Sequence, residues 1–464
     1  ILTSLANYLG NHTIQKYFQQ DIEIEAFDIL NKEKLQIKPM IDMKIRRYKA
    51  QEYLKEPLEN DVRVYREIQQ YPEVSALSNA RYMILMNERG NGFSRYKDIQ
   101  LNRYRKISEQ DYGCYLYIKE GNHIWSNTYA PVNQKPDRYE VTFALDRLKY
   151  QRLDHDIVTN TEIIVTQKHN AEVRKITFKN LGEETHTLEL TTYLEPIVCN
   201  NKNDISHRVF NSMFLSSEYE ENKNALIFER KERDKNNYYF VHKLWSKEFM
   251  QVNTYETERS NFLNRNDTYA NPAGLKKDLT NYTGDNLDPI ASLRNTLTLE
   301  GGAKKTVYIL NGFGTSKQQI LEILEDLEQE EDIKEAFQLV TLTTDKMMKQ
   351  LNVTSEDVNR YNKALNYLYQ TTKVSMTEER RKYLTQNHLS QQNLWRFGIS
   401  GDIPIILVEI DDLTSLGLTK ELLTMFEYYK NRGIYVDMIL LNSKNEEQAA
   451  TIKEVIQNEL FYIY

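Results

Sequence analysis

The stretch LWRFGISGDIPIILVEI, residues 394–410, sets an indole (Trp395), a guanidinium (Arg396), a hydroxyl (Ser400) and a carboxylate (Asp402) just ahead of an apolar run. Such a set can grip an anion, hold a sugar, or simply turn the chain into a strand. Phosphate-cradling glycine loops follow a strand and open a helix, so that the helix N-terminus faces the anion. Here Gly398 and Gly401 precede the apolar run, and no G-x-x-x-x-G-K pattern occurs in the chain. The nucleotide reading therefore fails. A sugar-binding turn and a structural turn whose aspartate caps local amides both stay open from these residues alone.

A second constellation lies in NERGNGFSRYKDIQLNRYR, residues 87–105. Gly90 and Gly92 permit a tight loop, Ser94 and Arg95 follow it, and Arg103 and Arg105 alternate with Tyr104. Tyrosine rings stack on sugar faces and guanidinium groups donate to hydroxyls. The alternative is a β-hairpin whose arginines are solvated. Elsewhere the eight histidines are scattered with no H-E-x-x-H, and no G-x-S-x-G elbow or cysteine–histidine signature appears. Glycoside chemistry needs only one or two placed carboxylates, and spacing cannot choose them among 67 acidic residues.

The elements that must position these groups follow from periodicity. Residues 1–70 read as helical, with Ile1, Leu2, Leu5, Tyr8 and Leu9 at helical spacing. From 74 to 315 the period is two. RYEVTFALD sends Tyr139, Val141, Phe143 and Leu145 to one face, and FKNLGEETHTLEL reads as a hairpin turning at Asn180–Gly182. Many short strands without intervening helices make a large antiparallel β-sandwich. Residues 316–400 begin with charged amphipathic helices, whose acidic run LEDLEQEED is a solvated helix face or a connection. Residues 401–464 read as β-α-β-α: a buried-type strand IPIILVEI, a helix ended by Gly433, a strand IYVDMILLN and a second helix. The fold class is multidomain α+β.

With 464 residues the chain can bury several cores, and a net charge of −7 offers no general attraction to nucleic acid or anionic membrane. Two cysteines, Cys114 and Cys199, are too few for a disulfide framework, which fits a reducing compartment, and with no signal peptide in the sequence a cytoplasmic setting is the expectation. No apolar run is long enough to span a bilayer. The opening ILTSLANYL starts in mid-pattern, as expected of a segment cut from a longer polypeptide.

Taken in order, these pieces are familiar. LSNARYMILMNERGNGFSRYKDIQLNRYR and YGCYLYIKEGNHIWSNTYAPV resemble the amino-terminal sandwich of the cellobiose phosphorylase family of inverting glycoside phosphorylases, above all the phosphorylase-like part of cyclic β-1,2-glucan synthases. HRVFNSMF, ETERSNFLNR and LWRFGISGDIPI recur there in the same order. The resemblance implies a supersandwich, a helical linker and the start of an α/α toroid, with residues 1–45 closing a preceding domain. It implies a β-glucan oligosaccharide as partner, with inorganic phosphate as co-substrate of the full-length enzyme and no other cofactor. It leaves a homodimer and a membrane tether through another domain open. It further implies that Asp402 accepts from sugar hydroxyls, Arg396 donates, Trp395 stacks, and Ser400, Ser94 and Arg95 line the substrate site. The family's general acid sits in a D-W-N-D-like segment that is absent here, so no catalytic residue is assigned. Arg432 and Tyr96 stand where lysine and tryptophan are expected. The implied reaction is inverting phosphorolysis or β-1,2-glucan chain-length adjustment. The alternatives are a non-catalytic glucan-binding or scaffold module and a glycoside hydrolase.

Overall fold

The computed structural model describes residues 7–10, 12, 16, 63–70, 72–105, 112–232, 237–249, 254–369, 378–410 and 416–441. Their central feature is a ten-stranded antiparallel sheet with Ala171–Asn180 and Lys304–Gly314 side by side at its middle. Two five-stranded antiparallel sheets face it. One runs from Val74–Ser78 to Pro196–Cys199, the other from His123–Ser126 to Thr254–Glu258. The layers close over one core, in which Ile84 and Leu101, Ile118 and Leu190, and Phe178 and Phe240 are all buried. This is a supersandwich, as expected.

Strand alternation builds it. Along Arg138–Phe143, Tyr139, Val141 and Phe143 are buried, while Arg138 is exposed and Glu140 and Thr142 are half-buried. Leu145 departs from that face: the strand has ended, and Leu145 packs with helices in a second core. The expected hairpin at Asn180–Gly182 does not form. Ala171–Asn180 pairs with Ile157–Val165 and Lys304–Gly314, whereas His186–Tyr193 pairs with Pro289–Leu299 and Tyr115–Glu120 in another sheet. The Asn180 amide donates to the carbonyls of Glu184, Leu299 and Glu300 at 2.6–3.3 Å, so the turn carries the chain from one layer to the other. Local alternation fixes strand and turn, but the partner of each strand is a long-range choice.

Helices α1 (Asn201–Ser206), α2 (Arg208–Ser212) and α3 (Arg259–Phe262) sit in loops of the sandwich. After it come α4 (Lys317–Asp326), α5 (Glu330–Leu351), α6 (Ser355–Tyr369) and α7 (Glu378–Gln386), and α8 (Leu416–Asn431) joins the last two strands. Ser316 caps α4 by accepting from the Gln319 amide, and Gln329 with Asp332 forms a capping box on α5. The acidic run is thus a connection between two helices. Ile320, Ile323 and Phe337 of α4 and α5 pack on the outer face of the ten-stranded sheet. Leu365 of α6 and Tyr428 and Tyr429 of α8 pack on Val74, Met83 and Phe93 of a five-stranded sheet.

Two further expectations change. Within the stretch to residue 70, residues 7–9 are helical but Arg63–Tyr65 is a strand paired with Val141–Phe143; residues 17–62 lie outside the described residues. The strand pair after residue 400, Ile405–Glu409 with Asp437–Leu441, is parallel as expected, yet Leu407 is 63% exposed and only Val408 is buried, so it is not a buried-type strand. The second helix of that segment falls outside the described residues. No helix among the described residues is long and apolar enough to cross a membrane.

Candidate functional site

Gln391–Phe397 forms a 3-10 turn closed by Gly398, which adopts φ +73° and donates its amide to the Trp395 carbonyl at 2.9 Å. Gly401 repeats the left-handed conformation at φ +70°, and a Cβ there would come within 3.0 Å of Gln391 and Leu394. Two glycines are what let the chain fold back so that Asp402 returns to Gln391. Gln391 Nε2 donates to the Ser400 carbonyl at 2.8 Å and to Asp402 Oδ1 at 3.2 Å. Trp395 Nε1 donates to the Ser400 carbonyl at 3.3 Å, and the Asp402 amide donates to Ser400 Oγ at 3.2 Å. Four of the six expected site residues, Trp395, Arg396, Ser400 and Asp402, therefore share one compact turn.

The turn is open to solvent. Trp395 is 60% exposed, and the Arg396 guanidinium lies 4.6 Å from the centre of the exposed Phe397 ring. A crevice of about 290 Å³ beside it is lined by Ser390, Gln391, Asn393, Arg396 and Phe397. Hydrogen bonds from Gln391 and from Lys202 Nζ, the latter at 3.2 Å, lower the Asp402 pKa and keep it ionised. Both donors take Oδ1, so Oδ2 has no hydrogen-bond partner among the described residues.

Ser94 and Arg95 are not brought to this turn. They are consecutive on the strand Gly92–Tyr96, so their side chains leave by opposite faces. The buried Ser94 hydroxyl donates to Glu172 Oε2 at 2.5 Å. That carboxylate belongs to an interior network in which Arg174 and Asn311 donate to Oε1 at 2.8 Å, and His242 meets Asn311 and Thr192 at 2.7 Å each. Burial pushes the His242 pKa down to about 4. Arg95 donates to the Gly433 carbonyl at 2.7 Å and lies 5.9 Å from the Tyr435 ring, tying a sandwich strand to the end of α8. Tyr96, half-buried, stacks on Phe313 at 4.4 Å against the sandwich core, and the buried Arg432 donates to the Leu145 carbonyl, so both substituted positions are engaged in packing.

The arginines of residues 103–105 are neither solvated nor free for sugar. Arg103, buried, pairs with Glu195, with Asp204 of α1 and with Asp288. Arg105 pairs with Asp204 and donates to Asn201 Oδ1 at 3.2 Å. Arg208 and Arg259 join Glu195 and Asp288 from α2 and α3. Burial works to raise the Glu195 pKa, but Arg103, the Tyr269 hydroxyl, Arg259 and Arg208 outweigh it and hold it at about 2. This network gathers HRVFNSMF and ETERSNFLNR into one structural knot. Sequence reasoning missed it, because its members are scattered from residue 103 to residue 288.

A profile of the glycosyl hydrolase 94 supersandwich domain matches residues 61–330. The chain belongs to that family. Glycosyl hydrolase 94 is carbohydrate-active, and its supersandwich accounts for the three sheets described above. Over 471 residues the chain is 25% identical to the cyclic beta-(1,2)-glucan synthase NdvB of Rhizobium meliloti (strain 1021), covering 98% of this chain and 16% of the synthase. It is 22% identical over 213 residues to the 3-O-beta-D-glucopyranosyl-beta-D-glucuronide phosphorylase of Paenibacillus borealis, covering 44% of this chain and 26% of that enzyme. Among solved structures, a bacterial glucoamylase complexed with acarbose aligns over 67% of this chain and 44% of its own, with a TM-score of 0.40 and 13% identity. The glycosyl hydrolase 94 match ends at residue 330, so the turn at residues 391–402 lies beyond it and within the span shared with the synthase.

Proposed function

We propose that this chain is the carbohydrate-binding, phosphorylase-like portion of an enzyme that transfers glucosyl groups on β-glucan, by inverting phosphorolysis or by adjusting β-1,2-glucan chain length. The observation that carries the reading is the open Oδ2 of Asp402 in the same turn as the exposed indole of Trp395. An aromatic face and an ionised acceptor are the two groups a pyranose needs: one covers its C–H face and the other accepts from its hydroxyls. Family membership and similarity to the synthase supply the sugar class. Inorganic phosphate is the proposed co-substrate of the whole enzyme. No residue here is assigned as general acid, and this chain is expected to release no glucose 1-phosphate from β-1,2-glucooligosaccharide and phosphate.

Tryptophan emission tests the reading. Of the three tryptophans Trp125 is buried and Trp245 half-buried, which makes Trp395 the solvent-facing reporter. A saturable blue shift with β-1,2-glucooligosaccharide, absent in Trp395→Phe and weaker with cellooligosaccharide, is the expected result. An unchanged spectrum at millimolar oligosaccharide overturns the stacking role.

A further inference from the structure

We propose that Lys202, on sandwich helix α1, is the second half of the sugar subsite and works with Asp402 as a donor–acceptor pair for two neighbouring hydroxyls of one pyranose. The inference rests on the sugar-binding reading of the turn. Lys202 and Asp402 are 200 residues apart in sequence, yet Lys202 Nζ stands 3.2 Å from Asp402 Oδ1. Their side chains are 72% and 63% exposed, and an ion pair so exposed adds little stability. Opening it to admit a ligand is correspondingly cheap. The ammonium has three donors and no acceptor, and the carboxylate accepts only. With one contact made between them, Lys202 keeps two N–H groups and Asp402 keeps Oδ2. A hydroxyl both donates and accepts, so one hydroxyl of a vicinal pair can donate to Oδ2 while its neighbour accepts from Nζ.

The backbone under Lys202 is fixed more firmly than its exposure suggests. Asn200 caps α1 by accepting from the Lys202 amide at 2.9 Å. Asp204, two residues on and 1% exposed, takes both Nε and Nη2 of Arg103 at 3.2 Å as well as Arg105. Arg103 and Arg105 are thus positioning residues: they clamp α1 to the sandwich and hold Lys202 over the turn.

Calorimetric titration of the full chain with β-1,2-glucooligosaccharide tests this through Lys202→Ala, Asp402→Ala and the double variant. Losing a charged donor to a hydroxyl is expected to weaken binding about tenfold in Lys202→Ala. Asp402→Ala should be weaker still, with little further loss in the double variant, because the two groups act on one ligand. Unchanged affinity in Lys202→Ala beside lost affinity in Asp402→Ala overturns this inference and leaves the sugar-binding turn standing. No saturable binding by the wild type overturns both. A carbodiimide cross-link between Lys202 and Asp402, found by peptide mass mapping, gives a second readout. It is expected in the free chain and suppressed by oligosaccharide, and its persistence at saturating sugar overturns the shared site.

Discussion

Replacing Glu195 with glutamine keeps its shape and removes its charge from the buried knot. The carboxylate is 3% exposed, accepts from the hydroxyls of Tyr193 at 2.8 Å and Tyr269 at 2.6 Å, and pairs with Arg103, Arg208 and Arg259. Its pKa falls from 4.5 to about 2 on folding. A depressed carboxyl pKa stabilises the fold when the group is ionised, so the contribution is complete above pH 4.5 and is lost as the pH falls towards 2. The difference corresponds to about 3 kcal/mol at pH 7, and more than half of that is gone by about pH 3. Glu195→Gln should therefore lower the unfolding free energy by about 3 kcal/mol at neutral pH, and the gap to wild type should close in acid. Urea unfolding followed by near-ultraviolet circular dichroism at pH 7, 5 and 3 measures it. An equal deficit at all three pH values would refute the electrostatic reasoning and point to a packing defect.

Gly433→Ala should destabilise the docking of α8 by about 1–2 kcal/mol or more, since Gly433 adopts φ +65° and a Cβ would sit 2.5 Å from the Ala80 carbonyl oxygen. Faster limited proteolysis between α7 and the last strand reports it, and an unchanged rate counts against the contact. Burial raises the pKa of both thiols, that of Cys199 to about 11, so neither forms thiolate readily at pH 8. Ellman's reagent should then label the chain only after denaturation; rapid stoichiometric labelling of the native chain contradicts their placement.

What could be read from the chain was local. Alternation in RYEVTF located a strand and its buried face, and Gly433 marked a helix end. What could not be read was partnership. Asn180–Gly182 has the chemistry of a hairpin turn, but the strands it joins find partners in different sheets. IPIILVEI has the composition of a buried strand, yet exposure depends on what packs against it, and Leu407 faces solvent. Arg103 looked like a surface donor because nothing nearby in sequence announces Glu195, Asp204 and Asp288. The turn at residues 395–402 was legible because its groups are close in sequence, whereas Lys202 was not. Ser94 and Arg95 share a motif but leave their strand on opposite sides.

The central claim is that the turn at Asp402 binds β-glucan. Calorimetric titration of β-1,2-glucooligosaccharide into wild-type chain and into Asp402→Ala, with melting curves to show that both are folded, tests it most directly. The prediction is saturable heat in the wild type and affinity weakened by more than about tenfold in a variant that melts at the same temperature, since Asp402 is exposed and its contacts among the described residues are with the turn and with Lys202. Equal binding by the two proteins would contradict it and leave the glycines of this turn with only the task of steering the chain into its strand.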